Sequence, residues 1–143
     1  MKILTLLLLT IFLGKGCEDD QQDLKTAVIE YTANTRGFYQ KIVIREQAFF
    51  VSTSRDETAL PALVPISDAD WKELLEAFKE VELEGLPNLK APTEKRFYDG
   101  AAIAELTIKY QEKVYTSSSF DHGFPPAEIE KLVKKITSLA TVK

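Results

Sequence analysis

The sequence predicts a single α+β domain in which an antiparallel sheet of about five strands carries two amphipathic helices on one face. Three observations lead there. Short segments of period-two hydrophobicity occur in adjacent pairs joined by a few polar residues, the pattern of antiparallel hairpins. Two segments of helical periodicity, each polar on its far side, follow those hairpins in a ββαββα-like order. Finally, 143 residues that are 45% hydrophobic and 28% charged suffice for one core and not comfortably for two.

Residues 1–16 read as an export signal that stands outside this fold. Lys2 supplies the positive start, Ile3 to Leu13 form an apolar core interrupted only by Thr5 and Thr10, and Gly14 and Gly16 flank its exit. The core falls short of the roughly 20 apolar residues that a membrane-spanning helix needs. Without Lys2 and Lys15, 16 basic and 22 acidic residues remain, a net charge of −6 that argues against nucleic acid and against direct binding to anionic lipid. Residues 17–25 are expected to form a disordered acidic tether, which leaves 26–143 as the domain.

Within the domain, Ala27 to Ala33 (AVIEYTA) reads as a strand, and Asn34 to Gly37 supply turn chemistry. In Phe38 to Arg45 (FYQKIVIR), Phe38, Gln40, Ile42 and Ile44 share one face, and Tyr39, Lys41, Val43 and Arg45 take the other. Glu46 and Gln47 turn the chain into Ala48 to Ser54 (AFFVSTS), which is rich in aromatic and β-branched residues. Arg55 to Pro65 reads as a loop punctuated by Pro61 and Pro65. Ser67 then stands as an N-cap with Asp68 and Asp70 in the first turn of a helix over about 68–81, whose stripe is Trp71, Leu74, Leu75 and Phe78.

Gly85 to Gly100 reads as an irregular crossing pinned to the core by Leu86 and Leu89. Ala102, Ala104, Leu106, Ile108 and Tyr110 alternate against Ile103, Glu105, Thr107 and Lys109, and a Gln-Glu-Lys turn leads into a partner strand, Val114 to Phe120. Pro125 and Pro126 open the last helix, where Ile129, Leu132, Val133, Ile136 and Leu139 recur at helical spacing and Glu130 and Lys134 stand i,i+4 apart. Tyr31, Trp71, Phe78 and the Phe49–Phe50 pair fall at strand or helix spacing and are assigned to the core.

Cys17 is the only cysteine, so neither an internal disulfide nor a cysteine metal site can form. An export signal followed at once by Cys, with Gly16 directly before it, resembles the lipobox of bacterial lipoproteins, although Gly14 and Lys15 depart from the residues usual at their positions. The resemblance implies cleavage before Cys17 and acylation of both its thiol and the new amino terminus. Several acyl chains on one terminus anchor stably where one would be reversible. The acidic run after it, Glu18, Asp19, Asp20 and Asp23, resembles the surface-export signal of certain Gram-negative lipoproteins, and a solvated spacer would have the same composition. The order and spacing over about 28–140, with the DGAA and FDHG turns, also resemble small bacterial lipoprotein domains to which no activity is attached. Together these resemblances imply a lipid anchor in the outer membrane of the cell envelope.

Three stretches could carry chemistry. SSSFDHG, Ser117 to Gly123, holds Ser, Asp and the only His, but neighbours along one strand point to opposite faces and no GxSxG elbow exposes a serine. A metal site from Asp99, Asp121 and His122 lacks any HExxH or calcium-loop spacing. KRFYDG, Lys95 to Gly100, interleaves basic and aromatic side chains that could hold an acidic sugar, a carboxylate or the acidic edge of a partner. The plainer reading of that loop packs Phe97 and Tyr98 down and lets Lys95 and Arg96 reach water.

Both loops flank the same predicted hairpin, so Arg96, Tyr98, Asp99, Asp121 and His122 are expected to converge on one binding site, with no catalytic residue, metal or cofactor assigned. The function expected is a binding module of the envelope whose partner is an envelope protein or a glycan. The alternative is a small inhibitor or immunity-type protein that plugs an envelope enzyme with Arg96 to Asp99. The third reading is a weak hydrolase or metal-dependent activity with His122 as general base and Asp121 orienting it. Mass spectrometry of the mature chain from host membranes is expected to find a multiply acylated Cys17 as the first residue, and Cys17→Ser to abolish that species; a free thiol within a chain that starts elsewhere would refute the anchor.

Overall fold

Seven strands, two more than the sequence pattern suggests, form one antiparallel sheet in the computed structural model, which describes residues 24, 26–56 and 61–141. Cys17, the signal and most of the acidic tether lie outside the described residues. Strands β1 (Val28–Thr35), β2 (Phe38–Arg45), β3 (Ala48–Ser52) and β4 (Val64–Pro65) precede helix α1 (Asp68–Lys79). Strands β5 (Ile103–Tyr110), β6 (Lys113–Thr116) and β7 (Phe120–Asp121) precede helix α2 (Glu130–Thr141). The sheet order is β4-β3-β2-β1-β5-β6, with β7 pairing β5 where β6 has left it, so β1 lies between the two hairpins and the ββαββα order is corrected to ββββαβββα.

Both extra strands have local causes. Val64 and Pro65 pair with Phe49 and Ala48 at the sheet edge, where the missing N–H of a proline leaves no ladder bond unmade. The expected strand Val114 to Phe120 is split by a bulge. Thr107 pairs with Thr116 and Ala104 with Phe120, which sets three residues, 117–119, opposite two, 105 and 106. The buried Ser117 makes the break possible, because its Oγ accepts the Leu106 N–H (3.0 Å) in place of a backbone carbonyl.

Alternation decides which face is dry. Ile29, Tyr31 and Ala33 on β1, Ile42 and Ile44 on β2, and Ala104, Leu106 and Ile108 on β5 are all buried, and both helices cover that face. From α1 come Leu74, Ala77 and Phe78, and from α2 Leu132, Val133, Ile136 and Leu139. Each of the buried Leu, Val, Ile and Phe side chains contributes roughly 1.5–3 kcal/mol relative to leaving it in water. Leu86, in a 3₁₀ turn at Leu83–Asn88, is fully buried as the pin the sequence implied. Leu24, within the segment read as tether, is 1% exposed in the same core, its carbonyl accepting the Ala27 N–H (3.2 Å). Phe49 joins the core, whereas Phe50 lies opposite Val43 and both are buried on the other face.

The Ser67 Oγ caps α1 by accepting the Asp70 N–H (3.2 Å). The helices run antiparallel, with the Lys135 ammonium donating to Asp70 (2.7 Å) and Glu73 of α1, and Lys131 paired with Glu80 (3.3 Å). No described helix is long and apolar enough to cross a membrane.

Two hairpins turn through non-glycine residues held at positive φ: Glu46 and Gln47 (51° and 59°) and Gln111 and Glu112 (50° and 65°). Such two-residue turns match strand twist but favour Asn-Gly, and a side chain in the left-handed region costs roughly 1–2 kcal/mol. Replacing Gln111–Glu112 by Asn-Gly is therefore expected to stabilise the fold by about 1 kcal/mol, seen as a higher urea midpoint with an unchanged slope. A lower midpoint would show that these side chains support the turn.

Candidate functional site

The bulge brings the chain back to the sheet at Phe120, and alternation from there sends Asp121 away from the helix-covered face. The Asp121 side chain is fully buried under the 3₁₀ turn Lys95–Tyr98 and holds it from four directions. One carboxylate oxygen accepts from Thr93 Oγ1 (2.5 Å) and the Lys95 N–H (2.7 Å). The other accepts from the Arg96 N–H (2.9 Å) and from Arg96 Nη1 (3.1 Å). Asp121 thus acts as an N-cap supplied from another strand, satisfying amides that the start of a helical turn leaves without internal partners.

Burial works to raise the pKa of Asp121, but the bonds from Thr93, Arg96 and Lys95 outweigh it and hold the carboxyl down at about 2. The guanidinium of Arg96 also donates to the Thr93 carbonyl (2.8 Å) and to Ser119 Oγ (3.2 Å), and only 8% of its side chain is exposed.

This inverts the plainer reading of the loop. With Arg96 drawn inward, a turn of about three residues sends the next two outward, and Phe97 and Tyr98 are 70% and 72% exposed. Arg96 is therefore a brace and not a fork presented to a ligand. Its guanidinium lies 4.3 Å from the centroid of the Phe97 ring, and Lys95 Nζ stands 4.4 Å from that of Phe124. Asp99 ends the turn at φ 58°, exposed, and the Gly100 N–H closes it on the Lys95 carbonyl (2.7 Å). A Cβ at Gly100 would lie 2.9 Å from Cε2 of the exposed Tyr98 ring and 3.1 Å from the Lys95 carbonyl oxygen, so a larger residue there would have to displace the ring and ease the turn.

His122 belongs to a different neighbourhood. Its Nδ1 is 2.7 Å from the hydroxyl of Tyr31, which is fully buried, and its ring packs against Tyr31 and Phe38 at 5.8 and 5.5 Å between centroids. Burial raises the pKa of the Tyr31 phenol, which keeps its proton at neutral pH, and burial lowers the pKa of His122. The hydroxyl and Nδ1 share one hydrogen bond, with the phenol as donor in one imidazole tautomer and as acceptor in the other, and in both Nδ1 is engaged.

Of the five expected site residues, Arg96 and Asp121 bond to each other, Tyr98 and Asp99 project from the turn they hold, and His122 faces Tyr31 instead. The carboxylate oxygens of Asp121 serve Thr93, Lys95 and Arg96, so the acid does not orient the imidazole as the hydrolase reading requires. The hydroxyls of Ser117, Ser118 and Ser119 bond to the Leu106 N–H, the Leu89 carbonyl and Arg96 Nε. Among the described residues no three His, Cys, Asp or Glu gather as a metal site.

Four residues absent from the expected site help to build it: Thr93 and Ser119 as braces, Phe97 beside Tyr98, and Phe124, 43% exposed, bridged through its backbone to Asp121. Ile103, cross-strand from Asp121 and 47% exposed, adds an apolar side chain to the same end of the sheet. Beside Phe124 runs a shallow groove of about 370 Å³ lined by Pro92, Pro125, Ala127, Glu130 and Lys134. The KRFY run is the sequence signal for Phe97, and Ser119 lies in the SSSFDHG stretch weighed for hydrolase chemistry and not as a brace, while Thr93 has none. No protein-family model, curated protein or solved structure gives a significant match to this chain.

Asp121→Asn is expected to cost about 3–5 kcal/mol at neutral pH, because it leaves the buried Arg96 charge without its partner. Because the folded pKa of Asp121 is depressed, its contribution is present above the unfolded value near 3.9 and is lost as pH falls towards 2. Urea midpoints between pH 5 and 2 should therefore drop more steeply in wild type than in the variant; parallel profiles would refute the role given to Asp121.

Proposed function

We propose that this is a lipid-anchored domain of the cell envelope, attached to the outer membrane through Cys17, that works by binding an envelope protein or a glycan through Phe97 and Tyr98. The observation that carries this reading is the exposure of two adjacent aromatic side chains, 70% and 72%, on a turn tied to the sheet by a buried carboxylate. Large side chains held in place before contact lose little freedom on binding, and aromatic anchors of this kind carry much of the energy of protein interfaces. The anchor rests on the lipobox-like signal and would hold the domain beside membrane-bound partners. The enzyme reading draws less support, since Tyr31 occupies Nδ1 of His122 and the carboxylate of Asp121 turns to another loop.

The same projecting turn also suits the second reading, an inhibitor or immunity-type protein that inserts it into an enzyme cleft. Site-specific photocrosslinking in the host separates these ideas from a domain with no partner at this end. A benzoylphenylalanine at position 98 is expected to give a defined adduct that Phe97→Ala weakens, while the same group at Val114, 63% exposed on β6, gives none. Equal labelling from both positions, or none from position 98, would remove the reading. An adduct with a hydrolase that the purified chain inhibits at equimolar ratio would select the inhibitor.

A further inference from the structure

Resting on the proposed anchor at Cys17, we infer that the domain stands end-on at its lipid, with the end of the sheet that carries Val28 and Val114 towards the bilayer and the Phe97–Tyr98 turn held away from it. The strand register separates the two ends. Lys109 of β5 lies across from Val28 of β1 and from Val114 of β6, so these three form one cross-strand row. Further back along β5, Ile103 lies across from Asn34 and from Asp121, the residue that holds the turn. At about 3.3 Å per residue the two rows are roughly 20 Å apart.

The chain enters the domain at the first row. Leu24 and Ala27 are both buried, and the Ala27 N–H bonds to the Leu24 carbonyl (3.2 Å), a turn that keeps the two within about 7 Å of each other. Ala27 directly precedes Val28, so along the strand direction Leu24 stays on the order of 15 Å or more from the Ile103 row. Cys17 stands seven residues before Leu24. Whatever its conformation, a chain of that length reaches at most about 25 Å.

Those lengths decide the orientation. With the Val28 row towards the lipid, the connection uses only a small part of its reach. With the Ile103 row towards the lipid, it must climb most of the height of the domain and pass around its side, and a chain so stretched forfeits most of its conformations.

The apolar side chains give that orientation its consequence. Phe38, Phe97, Tyr98, Ile103 and Phe124 are all exposed and all stand at the Ile103 end. On a domain free to turn over, such side chains would enter the membrane interface, which favours aromatic rings. A short connection from the opposite end withholds them from the leaflet that carries Cys17 and leaves them open to molecules in the aqueous space beyond it.

The test uses the acylated chain purified from host membranes and returned to vesicles whose headgroups carry an energy acceptor. An azidophenylalanine at position 98 or at position 114, both exposed, takes the donor dye, and an unchanged melting curve shows that each variant folds. Several-fold stronger transfer from position 114 than from position 98 is expected. Inserting about 20 Gly and Ser residues between Gln22 and Asp23, a flexible span of roughly 25 Å, should erase that advantage. Equal transfer from both positions, or stronger transfer from position 98, would overturn the inference while leaving the anchor in place. An advantage that survives the insertion would overturn it too, since direct contact with lipid and not the short connection would then set the orientation. A purified chain that carries no acyl group and does not join vesicles would remove the anchor and the inference together.

Discussion

The candidate site depends on one carboxylate placed where water cannot reach it. Isolating a carboxylate from solvent costs several kcal/mol after relaxation, and a carboxyl that was merely buried would take up a proton. Asp121 avoids this because four donors converge on it, two of them backbone N–H groups that the start of a 3₁₀ turn leaves unpaired in any case. The bond to Arg96 solves a second problem with the same atoms, since that guanidinium is also buried. Without this hub, the chain between Leu89 and Ala102 would have little to hold it to the sheet.

The geometry that delivers Asp121 comes from elsewhere in the chain. In an unbroken β6 the register would place residue 120 opposite Ile103, and every side chain beyond that point would change face. The bulge at 117–119 absorbs one residue, and it forms because Ser117 can offer a hydroxyl where the ladder needs an acceptor. The other two serines continue the work: Ser118 ties the bulge to the carbonyl of Leu89, and Ser119 accepts from Arg96. A stretch that resembles part of a catalytic triad is thus a structural joint.

Much of the fold was legible because it is written in periodicity. The alternation of Ala104, Leu106 and Ile108, the stripe of Leu74 and Phe78, and the Ser67 cap all stand where the pattern places them. What escaped was set by single contacts. The strand β4 is two residues long and contains a proline, so no run of residues announces it. The inversion of KRFY turns on whether Arg96 has a buried acceptor, and that acceptor lies 25 residues along the chain. Composition alone favours aromatics inside and cations outside, and it is wrong here because one ion pair outweighs it.

That inversion connects the fold to a function. Two exposed aromatic rings on a loose loop would collapse against the nearest apolar surface, and here such a surface is close, in Phe124 and Ile103. They remain outward because the backbone of their turn is fixed at Lys95 and Arg96 by Asp121. The stability invested in the hub therefore holds apolar surface in water, the reverse of what folding alone would favour. An arrangement that opposes burial and is held by a buried charge is the feature on which the proposed binding role rests.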